Sequence, residues 1–356
     1  MGKVVLSGYF GFNNLGDEAV LCGMVQGIRR EIEGTDIIVL SNAPEETAVN
    51  LRVQAVNRWN PVQVLSAIRQ SDVLVSGGGS LLQDVTGVKS LYYYLGIITL
   101  AKRLGKRVMV FAQGMGPLLR DSSQRNTARI LNRVDAITVR DEDSYALLCS
   151  IGVKNEVTVT ADPVLGLTGS TAAQGLSEKY GLTQGRYILV SPRRWKEDNH
   201  VAPLVQALRD LQDEGWDICL FPFHKPEDTQ LCREIARQLT GEVRLLEEPL
   251  SMNVIRSIFS GAVMVLGMRL HSLIFAAAGN TPMVGISYDP KVDAFLQRVE
   301  QPNAGAAGTL SGDILMASCR QVIEAAPRYR RLLAKRQQEL ALMVQENYRQ
   351  LAELVK

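Results

Sequence analysis

The stretch VVLSGYFGFNNLGDEAVLCGMVQGIRREI, Val4 to Ile32, decides the fold. A β-rich apolar run, Val4–Tyr9, passes through a glycine-rich turn into a segment where Val20, Met24, Ile28 and Ile32 recur every four residues. That is a strand followed by a core-facing helix, the opening of a βαβ unit. The same rhythm continues outward. Strands are expected at Ile37–Ser41, Val73–Ser76, Val108–Ala112, Ala136–Val139 and Val157–Ala161, with helices at Ser90–Arg103 and Asp121–Arg133 between them. The run Thr168–Ser177, TGSTAAQGLS, breaks the rhythm with small polar residues and reads as a linker. Strands then resume at Tyr187–Ser191, Ile218–Phe221, Val243–Leu245, Val263–Leu266 and Met283–Ile286.

The expectation is an α/β protein of two Rossmann-like, doubly wound domains, residues 1–167 and 178–326, joined by 168–177 and closed by a helix over 327–356. Such sheets bind ligands beyond the carboxyl ends of their strands, so two of them are expected to face a cleft. Length and composition agree with this. The chain has 356 residues, 46% hydrophobic and 21% charged, which excludes disordered and collagenous classes. Its 39 basic and 37 acidic residues, net +2, give no case for a nucleic-acid partner. Five scattered cysteines without a C-x-x-C pair, and a start with no signal-peptide pattern, point to free thiols and a cytoplasmic protein.

Chemistry is expected at the strand ends. In Gly8–Glu18 neither a Walker nor a dinucleotide-binding spacing is present, and Asp17 and Glu18 in the first helical turn disfavour phosphate there. Asn14 and Asp17 suit a neutral, hydroxylated ligand, and Asp17 could accept a proton; the plainer alternative is a tight turn with a helix cap. Ser76-Gly77-Gly78-Gly79-Ser80 with Gln83 and Asp84, then Gln113-Gly114 and Arg140-Asp141, repeat the pattern after successive strands. Gly78, Gly79, Gln83, Asp84, Gln113 and Arg140 therefore join Asn14 as acceptor-binding candidates.

The second half has the opposite charge. Arg193, Arg194 and Lys196, then His224 and Lys225, then Arg269 and His271, then Lys291, follow successive strands and imply a compact anion with more than one negative group. His271 lies in Met268-Arg269-Leu270-His271-Ser272, just ahead of an apolar helix expected over Leu273–Ala278, where it could act as general acid or be a buried, satisfied histidine. Three histidines and no Cys/His cluster argue against a metal site. The tail, with Arg328, Arg330, Arg331, Lys335 and Arg336 and apolar Leu332, Leu333, Leu340, Leu342 and Met343, has two readings. It is a closing helix with solvated charges, or one that also lies against anionic lipid headgroups.

Taken together, GYFGFNNLGDEA, SGGGSLLQD, AQGMGP, VRDEDS, ADPVL, SPRRW and GMRLHSLIFA, running in order from about Val4 to about Pro290, resemble the polysaccharide pyruvyltransferase family and its CsaB-like members. The resemblance implies two domains in the arrangement of B-type glycosyltransferases. It implies transfer of pyruvate from phosphoenolpyruvate to two hydroxyls of one sugar as a cyclic ketal, without a cofactor. The acceptor implied is an N-acetylmannosamine unit of a lipid-linked cell wall precursor, met at the inner face of the membrane. In that reading the donor sits on Arg269, Leu270 and His271, with Arg193 or Arg194 and Lys291 clamping its charges. His271 protonates the methylene carbon, and Asp17 or another carboxylate activates a hydroxyl. Two alternatives are a B-type glycosyltransferase using a nucleotide sugar and a non-catalytic sugar sensor.

Overall fold

The computed structural model describes residues 2–85, 87–168 and 179–356. Apart from Thr168, the expected linker lies outside the described residues. The chain divides into two compact units, 1–167 with 340–356, and 168–339.

The first unit is built on seven parallel strands: β1 (Lys3–Ser7), β2 (Asp36–Ser41), β3 (Gln54–Asn57), β4 (Val73–Gly77), β5 (Arg107–Gln113), β6 (Ala136–Val139) and β7 (Val157–Val159). Their order is β3-β2-β1-β4-β5-β6-β7. Val4, Val5 and Leu6 are fully buried, as expected of a strand covered on both faces. Helix α1 (Leu15–Glu31) buries Val20, Met24 and Ile28. Ile32, expected as the fourth member of that stripe, is instead the residue at which the helix ends.

The second unit repeats the plan with six parallel strands: β8 (Tyr187–Ser191), β9 (Asp217–Leu220), β10 (Val243–Leu245), β11 (Met264–Gly267), β12 (Met283–Ser287) and β13 (Asn303–Ala306), in the order β10-β9-β8-β11-β12-β13. In each sheet the order turns back beside its first strand, between β1 and β4 and between β8 and β11. Two strands were not expected from the sequence. Both β3 and β13 are four-residue edge strands, QAVN and NAGA, too short and polar to carry an apolar pattern.

The closing helix runs Ala326–Val355. It is not a separate body: its residues 340–356 belong to the first unit. There Leu340, Val344, Asn347, Tyr348 and Leu351 are buried. Leu342, expected on the apolar side, is 66% exposed. Thr138 and Thr160 donate to Asn347 Oδ1 at 2.5 and 3.0 Å, and the Tyr348 hydroxyl donates to the Gly23 carbonyl at 2.9 Å. None of the five cysteines is in a disulfide, and four are buried. No helix among the described residues is long and apolar enough to cross a membrane.

The packing of that helix requires a bare backbone at Gly27, where a Cβ would stand 2.0 Å from Tyr348 Cζ. Gly27→Ala should lower stability by about 1–3 kcal/mol, the usual penalty of overpacking. Gly96, exposed in the helix Val88–Arg103 with nothing near its Cβ position, is the control. Gly96→Ala should add about 0.5–1 kcal/mol. Urea unfolding of the two variants checks both signs.

Candidate active site

Where a parallel sheet's order reverses, neighbouring loops leave on opposite faces and a ligand crevice forms at the carboxyl ends. In the first unit the loops concerned follow β1 and β4. Asn14 caps α1, its Oδ1 accepting from the Gly16 amide at 3.1 Å, so that oxygen is committed to the helix. Gly78 and Gly79 have φ of +77° and +73°, and added Cβ atoms would stand 2.2 Å from Val20 Cγ1 and 2.6 Å from Asp17 Oδ1. Only glycine lets this loop lie so close against α1. The loop thereby brings Asp17, which is 9% exposed, beside Gly79, two residues the sequence placed 62 positions apart.

Glu18 was not singled out as a site residue. Its Oε1 accepts from the Gly11 amide at 2.7 Å. Burial, and secondarily the charge of Asp17, push its pKa up to about 7 against the lowering effect of that hydrogen bond. A carboxyl that exchanges its proton near neutrality is suited to general acid–base work. The signal available in the sequence was the adjacent acid pair at a strand–helix junction.

The loops after β4 and β5 are joined by hydrogen bonds from Gly114 N to Gly79 O and from Gly116 N to Leu82 O, both 2.9 Å. Three expected acceptor residues turn out to hold this framework. Asp84, 5% exposed, accepts from the amides of Leu119 at 2.7 Å and Arg120 at 3.0 Å. Burial alone would raise its pKa, but those bonds and the Arg120 charge outweigh it and hold the carboxylate low. Gln83 Oε1 accepts from the Val85 amide at 2.8 Å. Arg140, 6% exposed, is paired with Asp162 at 3.1 Å and Asp141 at 3.5 Å and donates to Ser80 Oγ at 3.3 Å. Its charge is neutralised within the protein. Gln113 differs from these. It is fully buried, and neither Nε2 nor Oε1 has a hydrogen-bond partner. It follows Ala112, whose φ of +43° marks an irregularity in the β5–β6 pairing.

In the second unit the reversal lies between Ser191 and Gly267, the ends of β8 and β11. The helix after β11 runs Leu270–Ala278, three residues earlier than expected, so Leu270 and His271 are its first two residues and Arg269 its cap position. His271 is half-buried. Arg269 was expected to clamp the donor, but its fork is engaged internally. Nε and Nη2 donate to the two oxygens of Asp228 at 2.9 and 2.5 Å, and Asp228 is itself fully buried. Arg194 is likewise committed, to Asp198 at 2.5 Å and to Glu234, on the surface.

Arg193 differs from its neighbour: it forms no ion pair among the described residues. Its guanidinium lies 4.3 Å from the Tyr288 ring and 5.9 Å from Trp195. Its carbonyl is bonded to His200 Nε2 at 2.8 Å and its amide donates to Met268 Sδ at 3.4 Å, which ties it to the β11 loop. Lys291 is the second residue of the helix Pro290–Arg298, its amide donating to the Asp289 cap at 3.0 Å. Trp195 and Tyr288 were missed in the sequence because their role is to flank an arginine, which spacing does not reveal. No group of three His, Cys, Asp or Glu suited to a metal occurs among the described residues.

Two outcomes follow from these contacts. Arg269→Lys cannot satisfy both oxygens of Asp228 and should lower stability by about 1–3 kcal/mol, read by urea unfolding without any substrate. For Glu18, a folded-state pKa of about 7 lies above the ordinary 4.5, so its relative stabilisation is present below pH 4.5 and lost as pH rises through 7. Glu18→Gln, which keeps an acceptor for Gly11, should match the parent at low pH and exceed it at pH 8 by on the order of 2–3 kcal/mol. Unfolding curves at pH 4 and pH 8 measure the difference.

Several solved structures share the whole fold. They include UDP-GlcNAc 2-epimerase from Neisseria meningitidis bound to UDP-GlcNAc, with 13% identity and a TM-score of 0.69 over 99% of this chain and 100% of that one. MnaA of S. aureus in a co-structure with UDP has 15% identity and a TM-score of 0.65, over 94% and 91%. Anabaena Alr3699/HepE in complex with UDP and glucose has 12% identity and a TM-score of 0.64, over 99% of each chain. At such identities the likeness establishes the fold, two Rossmann-like domains of the glycosyltransferase-B type. No curated protein matches the chain by sequence. The family described as polysaccharide pyruvyl transferase matches residues 14–290, from the cap of α1 to the helix bearing Lys291, and the chain belongs to that family of transferases.

Proposed function

We propose that this enzyme takes pyruvate from phosphoenolpyruvate and closes it as a cyclic ketal across two hydroxyls of one sugar. The acceptor in this reading is an N-acetylmannosamine unit of a lipid-linked cell wall precursor, met by the protein at the inner face of the membrane. The observation that carries the proposal is the separation of charge between the two reversal points. Asp17 and Glu18 stand at the first, while Arg193, His271 and Lys291 stand around the second.

The second unit holds the donor. Arg193, flanked by Tyr288, and Lys291 neutralise carboxylate and phosphate, and Arg269 sets the start of the helix that carries His271. His271 gives a proton to the methylene carbon, which becomes a methyl group and leaves the adjacent carbon electrophilic. The first unit holds the acceptor. One hydroxyl, losing its proton to Glu18 or Asp17, attacks that carbon. The second hydroxyl then displaces phosphate, which takes up that hydroxyl's proton as it leaves, and closes the ring.

The fold's likeness to proteins solved with UDP supports a second reading, glycosyl transfer from a nucleotide sugar. Incubation with phosphoenolpyruvate and a β-linked N-acetylmannosamine glycoside, with mass spectrometry of the product and assay of phosphate, separates the two. Ketal and phosphate are expected; turnover of a UDP-sugar with no phosphoenolpyruvate consumed would give the second reading the field. In the same assay His271→Ala should lower kcat by about 10²–10⁴-fold, with an unchanged unfolding midpoint.

A further inference from the structure

The outer flank of the Gly8–Asn14 loop is held by a cluster of rings that proton transfer does not call for. Tyr9 stacks on Phe12 with centroids 4.1 Å apart, Phe12 meets Trp59 edge-on at 6.4 Å, and Trp59 lies 5.5 Å from Tyr93. Arg58, 4% exposed, sits among them, 4.5 Å from the Tyr93 ring and 5.1 Å from that of Trp59, and donates to the Gly8 carbonyl at 2.6 Å. Trp59 itself is 58% exposed.

This indole is fixed in place. Its Nε1 donates to Asn42 Oδ1 at 2.8 Å, and the same amide donates through Nδ2 to the Gly11 carbonyl at 3.1 Å. Gly11 N in turn donates to Glu18. The open indole is thus tied, through Asn42 and the backbone of Gly11, to the loop that also binds the carboxyl assigned to the acceptor hydroxyl. Trp59 follows β3 and Phe12 follows β1, so the shelf lies at the same sheet edge as Asp17 and Glu18. A rigid aromatic with an open face, tied to the reacting loop, is a preorganised binding surface.

The polar groups beside it choose the ligand. They include neutral amides, Asn42 and Asn57, the latter accepting from the Trp59 backbone at 2.8 Å, while the charge of Arg58 is covered by rings. A pyranose ring matches this, with an apolar C–H face for the indole and a rim of hydroxyls for the amides. We propose that Trp59 is a stacking subsite for a sugar ring of the acceptor neighbouring the one that receives pyruvate, so that the enzyme selects a glycan chain over a single sugar. The naming of that glycan as the acceptor rests on the pyruvyl-transfer reading above.

The test compares Trp59→Ala and Trp59→Phe with the parent on two acceptors, the methyl glycoside of N-acetylmannosamine and a β-linked disaccharide ending in that sugar. For the disaccharide, Trp59→Ala should raise KM at least tenfold, with Trp59→Phe between. The phosphoenolpyruvate KM and kcat/KM on the methyl glycoside should stay within twofold. Equal shifts on both acceptors, or none, overturn the subsite. Tryptophan fluorescence with the disaccharide alone decides the matter even if no ketal ever forms. A saturable change in the parent that is lost in Trp59→Phe, where Trp195 and Trp216 remain, supports it. No change in the parent, or a change with anionic vesicles instead of the disaccharide, overturns it.

Discussion

In a parallel sheet every crossover leaves from a strand's carboxyl end, and where strand order reverses the two neighbouring crossovers must leave to opposite faces. The strand ends part there, and nothing in the backbone fills the gap. This constraint acts twice in the chain, at Ser7 and Gly77 and again at Ser191 and Gly267. The first turn of α1, with Asp17, lies there against the loop carrying Gly79, and the loop carrying Arg193 lies against the one carrying Met268. The glycines are where they are because the loops meet at less than the width of a methyl group.

Each unit holds these loops with the same device, an arginine after a strand forked or paired onto a buried aspartate. Arg140 after β6 is held by Asp162, and Arg269 after β11 by Asp228. Pairs of this kind add little net stability over apolar packing, yet removing one partner costs about 3–5 kcal/mol because a buried charge is left alone. They act as registers for the loops they connect. This is why a count of cations near the crevice overstates the charge available to a ligand. Arg194 and Arg269 are answered from within, whereas Arg193 is set against the rings of Tyr288 and Trp195.

What could be read from the sequence follows the same division. Strands β6, β8 and β10 coincide with the expected spans to the residue, since fully or half-covered strands leave apolar runs bounded by turns. The two polar edge strands left no such run. The strand-end motifs were legible because the reversal rule needs only strand order. Whether a polar side chain there faces a ligand or a neighbour depends on partners far away in the chain. Asp84 meets Leu119, and Arg269 meets Asp228 across 41 residues. The same holds for Glu18, whose proton affinity is set by burial beneath Gly11, and for Trp59, whose place beside that loop depends on Asn42.

The closing helix extends the argument to the charged tail. Its basic and apolar residues share its length: Tyr329 and Leu333 are buried within the basic run, where Arg328, Arg330 and Arg331 are exposed. Burial continues through Leu340, Val344, Tyr348 and Leu351 in the first unit, where Asn347 completes the hydrogen bonding of Thr138 and Thr160 on neighbouring strands. The basic run lies earlier, and part of it is answered locally, Arg336 by Glu300 and Glu339. Further on, Arg349 is paired with Glu346 and Glu353. Exposed ion pairs like these are worth little to stability, but they lower the charge the helix presents to an anionic surface. The tail therefore contributes most through its buried face, which closes the first sheet beneath β6 and β7 and so steadies the sheet whose edge carries Asp17 and Glu18.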